Sequence, residues 1–184
     1  IVTDYKNHTI RKIDKSANVS TIAGTAGVQG FENGQGKTAK FKYPYDIAID
    51  NENNIYVADK NNHLIRKIDT SGLVSNFAGS GTKDTVDGQG ANASFNEPIA
   101  IEFDTSGNLY VVEYVGNVIR KIDKQKNVAT IAGSGNEGFK DGKSLLAEFS
   151  SPYGITIDLH GNLYIADYGN NSIRKIDTDG NVIT

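Results

Sequence analysis

One five-residue segment, IRKID, occurs four times in this chain of 184 residues. The copies begin at Ile10, Ile65, Ile119 and Ile173, so successive starts are 54 or 55 residues apart. A nearly constant period of this length is the signature of a tandem array built from one structural unit. The fold therefore has to be one that stacks a repeated element against copies of itself.

Each repeat contains four short apolar runs that have the composition of β-strands. In the best-preserved copy, Phe41 to Gly79, the runs are DIAID, NIYVAD, LIRKID and LVSNFAG. They are rich in Ile, Val, Tyr and Phe, are bounded by turn residues, and are too short for helices. The links between the first two strands, DNENN, DTSGN and DLHGN, place Gly or Asn two residues before the next strand, as suits a hairpin residue with positive φ. The sequence predicts four-stranded antiparallel units.

The IRKID strand carries an isoleucine on each of its two faces, because residues three apart in a strand point to opposite sides. A lone sheet that is apolar on both faces is not stable in water. Sheets stacked side by side around an axis bury both faces, and this arrangement is a β-propeller. The predicted fold is therefore all-β, with each repeat forming one blade.

A charged pair recurs within each predicted blade. We expect the arginine of IRKID to extend between neighbouring blades with its end near the surface, against the acidic residue that closes the second strand. The arginines are Arg11, Arg66, Arg120 and Arg174, and the acids are Asp4, Asp59, Glu113 and Asp167.

The strands divide the chain into one partial blade and three nearly complete ones. We expect strands two to four of a blade in 1–24, whole blades in 25–79 and 80–133, and a blade with a truncated last strand in 134–184. An open arc of this kind leaves apolar faces and strand edges uncovered. We therefore expect a segment of a larger propeller, completed by the same chain or a second copy, rather than a closed four-bladed ring. Ile1 is not a translation start, so residues upstream are expected as well.

The stretch YVADKNNHLIRK resembles the signature of the NHL-repeat family, in which a Tyr-Val-Ala-Asp-like strand, an Asn-His pair and an Ile-Arg-Lys strand follow one another. The resemblance extends over the whole chain, including Gly-rich connections that end in Phe and Pro, such as AGSGTKDTVDGQGANASFNEP. It implies a propeller, usually of six blades, that serves as a rigid disc for binding. A minority of related propellers are enzymes with a metal ion in the central channel, so the resemblance implies this function as a second possibility. By the same analogy, the setting is bacterial and secreted or on the cell surface.

Composition argues against several other functions. The chain has 19 basic and 22 acidic residues, a net charge of -3, with no long block of either sign, so we expect neither nucleic-acid nor anionic-membrane binding. It has no cysteine, which excludes disulfides, thiolate metal sites and a cysteine nucleophile. No apolar run approaches the roughly 18 residues needed to cross a bilayer, so we expect no membrane insertion.

Metal ligands are not suggested by any spacing in the sequence. His8 and His63 stand where the other copies have Asn117 and Asn171, so we expect these residues to cap turns. The Asp-Gly pairs in the connections lack the alternating oxygen ligands and closing Glu of a calcium loop, and we interpret them as turns. No cofactor is predicted, and calcium stays open as an alternative that the pattern does not support.

Departures from the repeat mark the candidate ligand-binding residues. In the innermost strand, which lines the channel of a propeller, Asp46 stands where other copies have Ala100 and Gly154. After the acid that closes the second strand, three copies have a tyrosine and one a lysine: Tyr5, Tyr114, Tyr168 and Lys60. With Asp46, these residues would form a ligand-facing surface, because exposed aromatics supply contact area at low entropic cost. The alternative is that the tyrosines only cover the blade junctions.

Two functions remain open for such a chain. The residues favour a non-catalytic module that recognises a protein or glycan ligand through its loops and one disc face, since no catalytic constellation is present. The alternative is a channel-site hydrolase or lyase that uses a metal ion held by carboxylates and amides such as Asp46, completed by blades outside this sequence. RNA binding would require a basic face, which this nearly neutral chain lacks.

Overall fold

The computed structural model describes every residue from Ile1 to Thr184. They form eighteen β-strands in four separate antiparallel sheets, which follow one another along the chain and are called blades 1 to 4. The only helical elements are six 3₁₀ turns of three residues each. No helix has the length and apolarity that a membrane crossing requires. The predicted all-β fold of stacked blades is confirmed.

The four blades share one strand order and differ only in completeness. Blade 1 contains β1 (Val2–Asp4), β2 (Thr9–Ile13) and β3 (Val19–Ala23). Blade 2 contains β4 (Gly34–Gln35), β5 (Pro44–Ile49), β6 (Ile55–Asp59), β7 (Leu64–Ile68) and β8 (Leu73–Ala78). Blade 3 contains β9 (Gly88–Gln89), β10 (Pro98–Phe103), β11 (Leu109–Glu113), β12 (Val118–Ile122) and β13 (Asn127–Ala132). Blade 4 contains β14 (Gly142–Lys143), β15 (Pro152–Ile157), β16 (Leu163–Asp167), β17 (Ser172–Ile176) and β18 (Asn181–Ile183).

A two-residue strand at the outer edge of blades 2, 3 and 4 was not predicted. β4, β9 and β14 come from the connection that leads into each blade, and they pair with β8, β13 and β18. The predicted four-stranded blade thus has a short fifth strand. Its residues, Gly-Gln or Gly-Lys, have no strand composition, because a ladder of this length needs only backbone N–H and C=O groups.

The hairpins between the first two strands have the predicted turn chemistry. Asn53, Gly107 and Gly161 have φ of 66°, 82° and 87°. The aspartate that opens each hairpin accepts a hydrogen bond from the backbone N–H four residues on, and Asp50 and Asp158 accept a second from two residues on. For Asp50 the donors are Asn54 N–H at 2.8 Å and Glu52 N–H at 2.9 Å. An Asx-type turn of this kind fixes the strand register locally.

The two isoleucines of IRKID face two different neighbours. The first is fully buried in blades 1 to 3 and the second is buried in blades 2 to 4: Ile10, Ile65 and Ile119, then Ile68, Ile122 and Ile176. At the ends of the arc, Ile13 is 52% exposed and Ile173 is 62% exposed, because no blade packs against those faces. The four blades therefore form an open arc with an uncovered apolar face at each end.

Each of the three blade junctions has its own apolar cluster. Every cluster includes one fully buried phenylalanine from the connection between the blades: Phe41, Phe95 or Phe149. A guanidinium lies 5.2–5.4 Å from each of these rings, within range of a cation–π contact. The connection therefore packs as part of the core.

The arginines of IRKID hold the connections in place. Arg66 donates to the carboxylate of Asp59 at 3.0 Å and to the carbonyl oxygens of Glu32 and Lys40 in the connection, at 3.0 and 3.2 Å. Arg120 binds Glu113 and Arg174 binds Asp167 in the same way, each with two connection carbonyls.

These three arginines are fully buried, so the expectation that their ends reach the surface is wrong. Nη2 of each arginine also donates to the residue before the recurring glycine of the connection, Asn33, Asp87 or Asp141, whereas Nε has no hydrogen-bond partner. Those side chains, interpreted from the sequence as turn residues, thus accept from an arginine as well. In blade 1 the pair between Arg11 and Asp4, at 3.3 Å, is about 30% exposed because no connection covers it.

Candidate functional site

The turns between the second and third strands place the predicted ligand-facing residues on one face of the arc. In blades 1, 2 and 4 this turn is a 3₁₀ turn that begins with Tyr5, Lys60 or Tyr168, and Tyr114 begins the equivalent turn of blade 3. Because all blades share one topology, the four turns lie at the same end of their blades. We call this the upper face, and the face with the two hairpins of each blade the lower face.

Each upper turn ends in a left-handed residue that ties it to the next blade. His8, His63 and Asn117 have φ of 59°, 57° and 53°. Their side chains accept a hydrogen bond from the residue that precedes the inner-strand proline of the next blade. These bonds run from Tyr43 N–H to His8 Nδ1 (3.1 Å), Glu97 N–H to His63 Nδ1 (3.3 Å) and Ser151 N–H to Asn117 Oδ1 (2.9 Å).

Burial lowers the pKa of both histidines, which keeps Nδ1 available as an acceptor. His8 and His63 do end their turns, where the backbone N–H of each donates to the carbonyl oxygen of Tyr5 or Lys60, but the imidazole accepts its hydrogen bond from the next blade rather than from the turn.

Six tyrosines from the four blades form one contiguous surface, here called the tyrosine arc. Its members are Tyr5, Tyr43, Tyr45, Tyr114, Tyr153 and Tyr168. Neighbouring ring centroids are 4.9–5.9 Å apart, and three of the five contacts are edge-to-face. This spacing is that of favourable aromatic pairs. The rings therefore support one another rather than standing as isolated surface residues.

Tyr153 is the centre of the arc. Its ring contacts those of Tyr45, Tyr114 and Tyr168, and its hydroxyl forms a hydrogen bond with the hydroxyl of Tyr45. Burial, followed by this hydrogen bond, raises the pKa of Tyr45 to about 12, so the phenol stays neutral near pH 7. Tyr168 is 65% exposed and Tyr153 is 38% exposed, so aromatic surface is open to solvent.

The arc borders a cavity of about 240 Å³ at the inner strands. The lining residues come from blades 2, 3 and 4: Tyr45, Asp46, Ile99, Ala100, Tyr153, Gly154 and Ile155. The inner strands of a propeller surround its channel, so this cavity corresponds to the channel wall at its upper end.

Asp46 links the inner strands of blades 2 and 3. Its Oδ1 accepts from the N–H of Ile47, and its Oδ2 accepts from the N–H of Ile101 on β10, both at 2.9 Å. Burial raises the pKa of this carboxyl, while the two backbone hydrogen bonds act in the opposite direction. Ala100 and Gly154 have no side-chain acceptor, so no equivalent link joins blades 3 and 4.

Lys60, which replaces a tyrosine in blade 2, closes the polar rim of the arc. Its Nζ lies 3.3 Å from Glu97 Oε2 and 5.2 Å from the centroid of the Tyr114 ring. Glu97 also pairs with Lys83 at 3.1 Å. The ammonium group is therefore held against the arc by an acid and an aromatic face.

All five residues singled out as ligand-facing in the sequence lie in this region of the upper face. Sequence reasoning did not single out Tyr43, Tyr45, Tyr153 or Glu97. The signal was present in FKYPYD and SSPYG, where a tyrosine follows the proline that opens an inner strand. Nothing in the sequence indicated that inner-strand residues of blades 2 and 4 would touch.

The arrangement offers aromatic faces, phenol hydroxyls and one ion-paired lysine. No group of three or more His, Asp or Glu side chains with the geometry to hold a metal ion is present. Such a surface can stack on a ligand and donate hydrogen bonds to it.

Comparison with known proteins identifies one matching family model and several similar proteins. A family model described as the NHL repeat matches residues 41–68. Protein SUPPRESSOR OF QUENCHING 1 of Arabidopsis thaliana is 32% identical, across 77% of this chain and 14% of that protein. NHL repeat-containing protein 2 of Gallus gallus is 30% identical, across 89% of this chain and 24% of that protein.

A solved structure supports the same family. It is a structural genomics protein of unknown function from Bacteroides thetaiotaomicron, 30% identical, with a TM-score of 0.77 over 92% of this chain and 42% of that one. This chain thus spans less than half the length of each of these three relatives. With its repeat signature, its stacked blades and relatives similar along most of its length, the chain belongs to the NHL-repeat family.

Proposed function

We propose that this chain is a non-catalytic recognition module that binds a protein or glycan ligand on its upper face, at the tyrosine arc. The observation that carries the proposal is the convergence of six tyrosines from four blades on one partly exposed surface. A purely structural role for these rings would predict that each stays within its own blade junction.

The chemistry of the arc suits recognition. Tyrosine side chains provide large, rigid contact area with a polar end and few rotatable bonds, so little conformational entropy is lost on binding. Flat sugar faces and peptide side chains can both stack on such rings. Lys60 and Glu97 supply charged groups at the edge that favour a correctly oriented ligand.

The arc is also preorganised, which lowers the entropic cost of binding. The turns that present Tyr5, Lys60 and Tyr114 are each tied to the following blade through a His or Asn cap. Asp46 adds a link between inner strands under the arc. That use of its carboxylate supports a positioning role in a binding site over the alternative of channel-site metal chemistry.

We further propose that additional blades, from the same chain or from a second copy, cover the end faces that expose Ile13 and Ile173. A sheet face with an apolar residue more than half exposed is a contact surface in a stacked array. A secreted or cell-surface setting fits the Gly-rich connections that resemble those of extracellular NHL proteins.

The test is a binding screen of the natural full-length protein on glycan and peptide arrays, repeated with Tyr168→Ala. We expect this variant to bind the ligand found at least about tenfold more weakly, a loss typical of a binding hot spot, without a change in melting temperature. The matched control is Leu159→Ala, because Leu159 is 96% exposed on the lower face. Equal binding by wild type and Tyr168→Ala would contradict the proposal, and equal losses in both variants would do so too.

A further inference from the structure

The junction between blades 2 and 3 differs from both other junctions at four repeat positions. The residues there are Phe77, Phe103, Lys124 and Lys126. At the junction of blades 1 and 2 the same positions hold Ile22, Ile49, Thr70 and Gly72. At the junction of blades 3 and 4 they hold Ile131, Ile157, Thr178 and Gly180. Two junctions thus agree with each other, and all four departures fall in the third.

Three of the four departures, Phe77, Phe103 and Lys124, line one cavity, here called the lower cleft, and the fourth, Lys126, lies beside it against the Phe77 ring. The cleft has a volume of about 390 Å³ and opens between the hairpins of blades 2 and 3 on the lower face, opposite the tyrosine arc. Tyr56 stands between the two phenylalanines: its ring is 4.8 Å from Phe77 and 5.0 Å from Phe103, at interplanar angles of 87° and 80°. The cleft therefore has a wall of three aromatic rings.

The phenylalanines do not simply fill the junction. The equivalent cavity between blades 3 and 4, where the smaller Ile131 lines the wall, has a volume of only about 270 Å³. A larger cavity beside larger side chains indicates that the aromatic rings line a space rather than occupy it. Both phenylalanines keep part of their surface exposed.

Lysine side chains at the rim have no acidic partner. Lys67 and Lys124 line the cleft, and Lys126 Nζ lies 5.1 Å from the centroid of the Phe77 ring. None of these three lysines takes part in an ion pair or a side-chain hydrogen bond. Their ammonium groups are therefore available to an anionic ligand.

The carboxylates at the rim accept hydrogen bonds from their own hairpins. Asp50 accepts from the Asn54 backbone and side-chain amides at 2.8 Å each and from the Tyr56 hydroxyl at 3.1 Å. Asp123 accepts from the backbone N–H of Gln125 and from both amides of Asn127 at 2.8–2.9 Å. Glu52 accepts from the Asn54 side chain at 3.3 Å. The rim thus carries three carboxylates as well as lysines, and among its charged groups only the ammonium groups are without a hydrogen-bond partner.

Lys126 occupies a backbone position that favours glycine. Its φ is 65°, and the equivalent residues of the other blades, Ala17, Gly72 and Gly180, have φ of 63°, 88° and 73°. The left-handed conformation is therefore a property of this turn in every blade, and only in blade 3 does the turn carry a long charged side chain here.

We propose that the lower cleft binds a small ligand that carries an aromatic ring and a carboxylate. The ring packs against Phe77 and Phe103, and the carboxylate is bound by the ammonium groups of Lys124 and Lys126. The cleft is on the opposite face from the tyrosine arc, so this site is independent of the recognition function proposed above.

The test is a titration of the natural full-length protein with 3-phenylpropionate, followed by NMR of the methyl groups of Leu109 and Ile122, which line the cleft. We expect saturable shifts, and binding at least about tenfold weaker for the uncharged 3-phenylpropanol, because the charge-assisted hydrogen bonds are lost. Absence of saturable shifts up to about 10 mM ligand, the weak limit of a specific site, would overturn the proposal.

Two double variants use residues that the chain itself has at its other junctions. Phe77→Ile with Phe103→Ile, and Lys124→Thr with Lys126→Gly, should each weaken binding of 3-phenylpropionate by at least about tenfold. Lys121→Thr is the matched control, because Lys121 lies over Tyr110 at the next junction. This control variant should bind 3-phenylpropionate with the affinity of wild type. Unchanged affinity in the lysine double variant would contradict the proposal, whether or not the phenylalanine variant folds.

Discussion

His8 and His63 have the same task in blades 1 and 2 that Asn117 has in blade 3. Each accepts a backbone N–H from the following blade, through Nδ1 in the histidines and through Oδ1 in the asparagine. An imidazole can do this only while Nδ1 is unprotonated, whereas an amide oxygen accepts at any pH. The two residue types are therefore equivalent near pH 7 and differ in acid.

This difference predicts a pH dependence of stability. Burial lowers the pKa of both histidines below the ordinary value of 6.5, so below that pH the unfolded chain binds protons that the folded chain does not. Stability should be complete above about pH 6.5 and fall as the pH decreases, by about 1 kcal/mol for each hydrogen bond lost. Urea unfolding at pH 7.5 and pH 5 measures the change.

The double variant His8→Asn with His63→Asn is the matched comparison. It keeps an acceptor at both positions and removes the titration, so its urea midpoint should vary less between these two pH values than that of wild type. If the urea midpoints of both proteins changed equally between these pH values, protonation of His8 and His63 would not be the cause of the pH dependence.

Residue types at repeat positions were readable from the sequence, but contacts between distant blades were not. Tyr5, Tyr114 and Tyr168 stand out because Lys60 breaks their pattern. Tyr45 and Tyr153 were not grouped with them, because their contact depends on how tightly the arc of blades curves. No pattern within a single repeat encodes that curvature.

At the level of the elements, the buried arginines join the third strand of a blade to the connection that enters it. Arg120 binds Glu113 within the blade and the carbonyl oxygens of Val86 and Ser94 in the connection. The charge pair and the path of the connection are thus stabilised by one side chain. This explains why the arginine of IRKID recurs in blades 2 to 4.

Replacing Arg120 by methionine should be strongly destabilising. The change leaves Glu113, which is fully buried, without its cation, and loss of one partner of a buried pair costs about 3–5 kcal/mol. Arg11→Met removes the equivalent arginine of blade 1, whose partly exposed pair with Asp4 should cost about 0–1 kcal/mol. Urea unfolding measures both, and similar losses would contradict the proposed role of burial.

The long strands and their hairpins were predictable because each has a local signal, such as the aspartate and the glycine or asparagine of DTSGN. The two-residue strands β4, β9 and β14 have none. These short strands form because the arginine of the third strand and the buried phenylalanine of the connection hold the connection beside the outer strand. Those contacts exist only in the folded arrangement.

Considered as a whole molecule, the arc combines a regular framework with local departures from it. The clusters at the three junctions, the buried arginines and the turn caps repeat from blade to blade. The tyrosine arc on the upper face and the lower cleft between blades 2 and 3 do not. Comparison of the repeats with one another therefore separates residues that build the fold from residues available for ligands.

The measurement that tests the central claim most directly is an NMR titration of tyrosine-labelled protein with the ligand identified on the arrays. The chain has nine tyrosines, six in the arc and three, Tyr56, Tyr110 and Tyr164, in the second strands outside it. If the upper face is the recognition surface, ring signals of the arc should shift on binding while those of the other three stay in place. Shifts confined to Tyr56, Tyr110 and Tyr164, or binding with no shift in the arc, would contradict it.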